Sequence, residues 1–317
     1  MRVVTAEEID AVLDFPSLVG ALRRTFASET EAPTRHHHRL GPEGGRQATH
    51  LLMPAWTAGT PGPDAYLGTK IVSVFPDNGG LGLPAVLGVY VLQSGETGRP
   101  LAVLDGTRLT HWRTAAASAL AADYLARPDA ERLVLVGAGA LAPFLVRAHS
   151  SVRQIRHVAI WNRRPEGAER LAGRLADEGF TAEPVADLAR AVRAADIVSC
   201  ATLSGAPLVE GAWLKPGSHL DLVGAFTLAM RECDDTALRR ARVFVDTPAA
   251  LHEGGDVAMA IRDNVLREAD VVADLHGLCR GAPARGGPDE ITLFKSVGTA
   301  IEDLAAAVLA WEKLGKR

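Results

Sequence analysis

Arg132-Leu-Val-Leu-Val-Gly137-Ala-Gly139-Ala-Leu-Ala142 is the stretch whose reading decides the fold. A short run of Val and Leu stops at a glycine and passes into an alanine-rich segment. That is the pattern of a buried parallel strand turning sharply into a helix. Gly137 supplies the tight turn, Gly139 lets the backbone approach a pyrophosphate, and Ala142 stands where a small residue allows helix and strand to pack closely. The pyrophosphate would rest on the free N–H groups at the helix start, so Gly137, Ala138, Gly139, Ala140 and Leu141 form the expected cofactor loop. A G-x-G-x-x-A is weak evidence alone, and its weight depends on its surroundings.

From Glu131 to about Ala273 short apolar strands alternate with helices. Strands are expected at 133–136, 157–161, 197–199, 219–223, 243–245 and 271–273, with helices such as 166–178 and 187–194 between them. This rhythm belongs to a doubly wound parallel sheet, an α/β Rossmann architecture whose first strand ends at Gly137. Upstream, Val3-Val4 ends a strand, and Thr5 caps a helix with Glu8 at the capping-box position. The block 33–106 reads as β-rich and is broken at Gly41-Pro-Glu-Gly-Gly45, Asp77-Asn-Gly-Gly80 and Ser94-Gly-Glu-Thr-Gly98. Its clearest strands are 69–75 and 88–92. An Ala-rich helix over 109–126 leads into the alternating region. A last amphipathic helix over 299–314 has no further strand to serve and is expected to return to the N-terminal part.

The 317 residues suffice for two domains. A net charge of −4 gives no reason to expect nucleic acid or an acidic membrane surface as a partner. No apolar run reaches 18 residues, and MRVVTAEEID reads as strand then helix start, not as a signal peptide, so a cytoplasmic protein is expected. Cys200, Cys233 and Cys279 are far apart, odd in number and without a C-x-x-C, which points to buried thiols and to no disulfide framework or zinc site. His36-His37-His38 cannot converge on one ion, because consecutive strand residues face opposite ways, so no metal is expected. His111 and His219 read as structural, and Glu253-Gly-Gly-Asp256 as a turn with a helix cap. No nucleophile elbow or Walker loop is present.

The second strand of the alternating region ends Ile160-Trp161-Asn162-Arg163-Arg164, with no acid before Glu166. An acid at this point usually holds a ribose 2′-OH, whereas arginine accommodates a 2′-phosphate through a bidentate fork. Asn162, Arg163 and Arg164 therefore predict a preference for NADP(H), with NAD(H) possible; the alternative is that the two arginines are solvated residues at a helix start. Thr114, Thr202, Val223 and Val297 complete the expected cofactor set. Asp246-Thr247 and Val297-Gly298 are placed to border the nicotinamide, because ligands bind outside the carboxyl ends of the strands.

Several further motifs occur in order: Lys70-Ile-Val-Ser-Val-Phe-Pro76-Asp-Asn78, Leu83-Pro84, Thr97-Gly98-Arg-Pro-Leu-Ala102 and Leu109-Thr-His-Trp-Arg113-Thr114-Ala-Ala. After Gly137-Ala-Gly139-Ala come Ile291-Thr-Leu-Phe-Lys-Ser-Val-Gly298 and Glu302-Asp303. In these motifs, over essentially its whole length, the chain resembles the ornithine cyclodeaminase/mu-crystallin family. The resemblance implies a Rossmann domain (114–294) inserted into an α+β substrate-binding and dimerisation domain (1–113 plus 295–317), and a homodimer. It implies a nicotinamide cofactor and a small α-amino or α-imino acid substrate. By the same resemblance Lys70 and Arg113 meet the substrate carboxylate and its reacting nitrogen or oxygen. Arg35 is the matching early arginine, with Arg46 as the fallback.

The chemistry agrees with those residue types. An α-imino carboxylate needs fixed cations, and arginine captures a carboxylate in bidentate fashion. A lysine beside arginines is pushed toward its neutral form, which fits it for proton exchange, so Lys70 is the expected catalytic residue. The alternative for Lys70 is a strand lysine whose stem lies on apolar surface and whose head reaches water.

One segment departs from the cyclodeaminase pattern. Aligning Gly224-Ala225 and Arg231-Glu232 puts Phe226 where those enzymes carry an aspartate that acts as base on the substrate amine. A phenyl ring accepts no proton, which weakens amine oxidation and leaves imine reduction. The G-[AS]-F-T form of this segment is similar to the family's Δ1-pyrroline-2-carboxylate reductases. The alternative base is Asp221, although strand alternation would place 221 and 226 on opposite faces. The expectation is NAD(P)H-dependent reduction of a cyclic α-imino acid, Δ1-pyrroline-2-carboxylate and possibly Δ1-piperideine-2-carboxylate, to L-proline or L-pipecolate. The rivals are ornithine cyclodeamination, an alanine-dehydrogenase-like activity, and a non-catalytic NADPH-dependent binder of a small ligand.

Overall fold

The computed structural model describes residues 1–41, 48–59 and 62–315. It divides into two compact units, Met1–Thr114 with Thr299–Arg317, and Ala115–Gly298. The helix Gly106–Leu125 contributes residues to both. Among the described residues no helix is long and apolar enough to cross a membrane.

The first unit is a mixed sheet with helices on one face. Its strands are β1 (Arg2–Val4), β2 (Thr30–Glu31), β3 (His36–Leu40), β4 (Ala48–Thr57), β5 (Tyr66–Val74), β6 (Val86–Ser94) and β7 (Pro100–Asp105). The order is β1-β7-β6-β5-β4-β2, and β3 also pairs with β4. Every pairing is antiparallel except β1 with β7. Alternation along the strands turns Met53, Ala55, Val72, Leu92, Ala102 and Leu104 inward. The helices Phe15–Ala27 and Ala300–Lys313 pack together, and the second of them lies on β4, β5 and β6. Thr5 and Glu8 form the expected capping box, with Thr5 Oγ1 accepting from the Glu8 N–H and Glu8 Oε2 from the Thr5 N–H.

The second unit is the doubly wound sheet. Its strands are β8 (Arg132–Val136), β9 (His157–Trp161), β10 (Ala182–Pro184), β11 (Ile197–Cys200), β12 (His219–Leu222), β13 (Arg242–Val245), β14 (Val271–Asp274) and β15 (Thr292–Lys295). All pairings are parallel, in the order β10-β9-β8-β11-β12-β15-β13-β14. Strand β15 is a correction to the sequence reading. Residues 292–295 form an interior strand between β12 and β13, and the lysine ending the run hid its buried character. The segment Glu253-Gly-Gly-Asp256 also differs from a capped turn: Gly254 joins the helices Ala250–Glu253 and Gly255–Arg262, and Asp256 is fully buried. Cys200 and Cys233 are buried, Cys279 is half-buried, and all three are free thiols.

A buried polar cluster lies on the second sheet. Asp221 on β12 accepts from Ser118 Oγ (3.0 Å) and Ser199 Oγ (2.6 Å), and His149 Nε2 lies 3.3 Å away. Burial alone would raise the Asp221 pKa, but the His149 and Ser199 contacts outweigh it and hold the carboxyl below its usual range. His219 is fully buried, with Nδ1 2.9 Å from Thr292 Oγ1. The Thr292 hydroxyl donates to Leu125 O, so His219 Nδ1 carries the proton, and Nε2 is buried with no hydrogen-bond partner among the described residues. Burial holds the His219 pKa at about 3. A histidine so depressed stabilises the fold above its unfolded pKa of about 6.5, and that contribution is lost as pH falls toward the folded value. Chemical denaturation should therefore show about 2 kcal/mol of stability lost from this group between pH 7 and pH 5. His219→Gln should flatten the slope in that window, and an unchanged slope would remove His219 as its source.

Candidate active site

Two clusters of candidate side chains stand out, one in each unit. In the first unit, Lys70 points to the helix-covered face of β5 and is 3% exposed. Its Nζ lies 2.7 Å from Asp303 Oδ2. Arg113 donates from Nε to Asp303 Oδ1 at 3.0 Å and from a terminal nitrogen to Glu302 Oε2 at 2.6 Å. Glu302 and Asp303 occupy the first turn of the helix Ala300–Lys313, where the positive end of the helix dipole favours carboxylates and Thr299 supplies the cap. The cluster therefore balances two cations against two carboxylates, all buried. Burial and the Arg113 charge lower the Lys70 pKa to about 8, against the opposing pull of Asp303 and Glu302. A surface-reaching lysine is thereby excluded.

Tyr90 on β6 is the cross-strand partner of Lys70. Its hydroxyl is fully buried and has no hydrogen-bond partner among the described residues. Burial pushes the phenol pKa well above its usual value, and Asp303 adds to the rise. Gly68 makes room for this ring, since a Cβ there would lie 2.2 Å from Tyr90 Oη. Arg35 is half-buried just ahead of β3, Arg46 lies outside the described residues, and Thr114 is half-buried in its helix. His36, His37 and His38 are exposed on β3, with the rings of His36 and His38 edge-on at 6.5 Å.

In the second unit, β8 ends at Gly137, whose φ of +109° is open to glycine at little cost. Its N–H donates to Trp161 O at 2.8 Å. A Cβ on Gly139 would meet no atom within 4 Å, so the space before this backbone is open, as a pyrophosphate cradle requires. Ala138 N–H donates to Asn162 Oδ1 at 3.2 Å, and Asn162 Nδ2 donates to Arg164 O at 2.8 Å. Asn162 thus ties the glycine loop to the turn after β9, where Arg163 and Arg164 are exposed. Ala140 is exposed, Leu141 is half-buried, and Ala142 is fully buried at the helix start.

The remaining expected residues stand at the carboxyl ends of β11, β12 and β15. Thr202 donates through N–H and hydroxyl to Glu232 Oε1 (2.7 and 2.9 Å), and Val223 is buried beside Cys200 O. Asp246 is turned inward, its Oδ2 accepting the N–H groups of Val297 (2.8 Å) and Gly298 (2.6 Å). Phe226 follows the end of β12 in a turn and is 38% exposed, so strand alternation does not relate it to Asp221. Asp221 is committed to Ser118, Ser199 and His149.

The family model for the ornithine cyclodeaminase/mu-crystallin family matches residues 2–317. The chain belongs to this family. A Δ1-pyrroline-2-carboxylate reductase of Colwellia psychrerythraea is 37% identical over 323 residues, covering 99% of each chain. The solved structure of Thermococcus litoralis Δ1-pyrroline-2-carboxylate reductase in complex with NADH and L-proline is similar at a TM-score of 0.93 and 31% identity, covering 99% of this chain and 97% of its own. An archaeal alanine dehydrogenase dimer with bound NAD is similar at a TM-score of 0.89 and 30% identity, over 99% and 95% of the two chains.

Glu302-Asp303 belongs to the ordered motif series of the sequence, but nothing in its spacing assigns the pair a role. The signal was present: two acids interrupt an otherwise apolar Ala- and Leu-rich helix, and acids in such a setting need cationic partners. Gly68→Ala forces a methyl group into the Tyr90 ring and should cost about 1–3 kcal/mol in chemical denaturation. Tyr90→Phe removes a buried hydroxyl that has no partner and should stay within about 1 kcal/mol of wild type, or exceed it. A larger loss in the Tyr90 variant would show that the hydroxyl is satisfied in solution.

Proposed function

We propose that the chain is an oxidoreductase of C–N bonds that reduces a cyclic α-imino acid, Δ1-pyrroline-2-carboxylate and its six-membered homologue, to L-proline and L-pipecolate, with NADPH preferred over NADH. The observation that carries the reading is Lys70, a buried lysine with a pKa of about 8, beside Arg113. Family relatives that bear reductase names support the substrate class.

The glycine loop (residues 137–141) would hold a nicotinamide cofactor, which would supply the hydride that C2 of the imine gains. Arg113, with Arg35, holds the substrate carboxylate. Glu302 and Asp303 keep the guanidinium and the lysine from swinging, so little order remains to be imposed when substrate arrives. Lys70 donates the proton that the ring nitrogen gains as C2 is reduced, and a pKa near working pH lets it recover that proton from solvent. In the reverse direction the neutral lysine accepts the proton of the amine. Phe226 supplies no base for the substrate amine, which argues against cyclodeamination.

The cofactor preference rests on Arg163 and Arg164. Both are exposed at the start of the helix Pro165–Asp177, whose positive dipole end adds to the field a 2′-phosphate would meet. A homodimer is proposed through the outer face of the first unit's sheet. Leu52, Trp56, Leu67, Ile71, Val89 and Val91 alternate outward there without becoming polar.

These readings are tested by NADPH oxidation against a panel of cyclic imines, 2-oxo acids with ammonia, and ornithine. The expected result is turnover with the five- and six-membered imino acids. A preference for pyruvate with ammonia would install the alanine-dehydrogenase reading. Lys70→Met should lower kcat by at least about a hundredfold, the scale of general acid catalysis, and wild-type kcat in that variant would remove Lys70 from the mechanism. Imine reduction should fall as pH rises through about 8, and oxidation of L-proline should rise through the same value, because the two directions use opposite forms of Lys70. Replacing Arg163 and Arg164 by Ser should lower kcat/KM for NADPH by about tenfold or more and leave NADH nearly unchanged. A wild-type enzyme favouring NADH tenfold would refute the preference.

A further inference from the structure

We infer that Glu232 is a positioning residue for the nicotinamide cofactor, fixing the loops that follow β11 and β12 at the dinucleotide crevice. The inference rests on the reading of the second unit as the cofactor-binding one.

The strand order places the point where the chain reverses direction between β8 and β11. The crevice outside the carboxyl ends at such a point is where ligands of these sheets bind. The glycine loop follows β8, and Thr202 follows β11. The two are in direct contact: a Cβ on Gly137 would lie 2.7 Å from Ala201 O and 3.1 Å from Thr202 Cγ2. Any shift of Thr202 is therefore felt by the glycine loop.

Thr202 is held from behind by one carboxylate. Glu232 Oε1 accepts the Thr202 N–H (2.7 Å) and hydroxyl (2.9 Å). Its Oε2 accepts the N–H groups of Gly224 (2.7 Å) and Ala225 (3.2 Å). A single fully buried side chain thus pins the loops at the ends of two neighbouring strands. Gly224 has to be glycine for this contact, since a Cβ there would lie 2.4 Å from Glu232 Oε1. Burial raises the Glu232 pKa, and Lys295 opposes the rise.

The carboxylate is itself anchored. Asp256 Oδ1 accepts the N–H groups of Glu232 (2.7 Å) and Cys233 (3.1 Å), and Lys295 Nζ stands 3.4 Å from Asp256 Oδ2. Glu232, Asp256 and Lys295 are all 0% exposed. The loops so held carry Leu203, Phe226 and Leu228 on their outer side, all exposed. Exposed apolar side chains on ordered loops at a crevice mark a ligand surface, and a nicotinamide ring suits them as a flat, largely apolar occupant.

Glutamine cannot replace this glutamate silently. Whichever way the amide is turned, its NH2 faces backbone N–H donors, of Thr202 on one side or of Gly224 and Ala225 on the other. At least one loop is then released. NADPH binding, followed by the change in its fluorescence on titration, should weaken about tenfold in Glu232→Gln, the effect of one lost buried contact. The KM for NADPH should rise by a similar factor, with a smaller change in kcat. Ser199→Ala serves as the comparison, because it breaks a 2.6 Å hydrogen bond to Asp221 in the same sheet. It should lower the thermal midpoint and leave the NADPH Kd within about twofold. If Glu232→Gln is not recovered folded, Thr202→Val decides: it keeps the backbone bond to Glu232, removes the hydroxyl with its bond to Glu232 (2.9 Å) and the longer one from the Ser204 N–H (3.3 Å), and should weaken NADPH about threefold. A wild-type Kd in the folded Glu232 variant, or in Thr202→Val where that variant decides, overturns the inference. So does equal weakening in Ser199→Ala. A wild-type protein that binds neither NADPH nor NADH defeats the cofactor reading itself, whereas one that binds NADPH without reducing imines leaves the role of Glu232 standing.

Discussion

Lys70 and Arg113 can be buried in the first unit only because Glu302 and Asp303 meet them there. Taking one such ion out of water costs on the order of 20 kcal/mol in the idealised limit, and still several after relaxation, so an unpaired pair of cations would prevent this packing. Contacts of 2.6 to 3.0 Å to two carboxylates offset that cost. The constraint reaches far along the chain, since Arg113 and Asp303 are 190 residues apart. The chain must complete the second unit and then return a helix whose first turn is acidic and whose middle turns are apolar. Ala300–Lys313 satisfies both demands, with its acids beside the Thr299 cap and Leu304, Ala307 and Trp311 buried.

The second unit solves a related problem with different donors. Loops at the carboxyl edge of a parallel sheet have irregular backbone, and their buried N–H groups need acceptors that no neighbouring strand provides. Asp246, Glu232 and Asp256 are the acceptors. Among them they take the N–H groups of Thr247, Val297, Gly298, Thr202, Gly224, Ala225, Glu232 and Cys233. Each acid is fully buried, so its oxygens serve backbone donors and not solvent.

The parts of this structure legible in the sequence are those that depend on local pattern. The Val/Leu run before Gly137 gave β8 and its turn, and the Thr5-x-x-Glu8 spacing gave a capping box with the expected bonds. Strand β15 was missed because a central strand in a parallel sheet is read from continuous apolarity, and Thr292-Leu-Phe-Lys295 begins and ends polar. Thr292 is bonded to Leu125, His219 and Arg285, and Lys295 stands within ion-pair range of Asp256, partners that no local pattern announces. The pairing of Lys70 and Arg113 with Glu302-Asp303 was invisible for the same reason. No periodicity links residues on β5, on the helix Gly106–Leu125 and in a helix near the C-terminus.

The direction of the proposed chemistry follows from where proton acceptors are absent. A deaminating relative needs a carboxylate free to take a proton from the substrate amine, and the aligned position here is a phenylalanine in a turn. Asp221 cannot stand in for it. It is fully buried, its oxygens are engaged by two serine hydroxyls and a histidine, and those contacts lower its pKa, so it neither reaches solvent nor favours taking up a proton. In the proposed reaction, proton transfer then falls to Lys70. At neutral pH a lysine with a pKa of about 8 is mostly charged, and it is a donor before it is an acceptor. A site whose proton-active group is a donor is matched to reducing an imine, where nitrogen must gain a proton as carbon gains hydride.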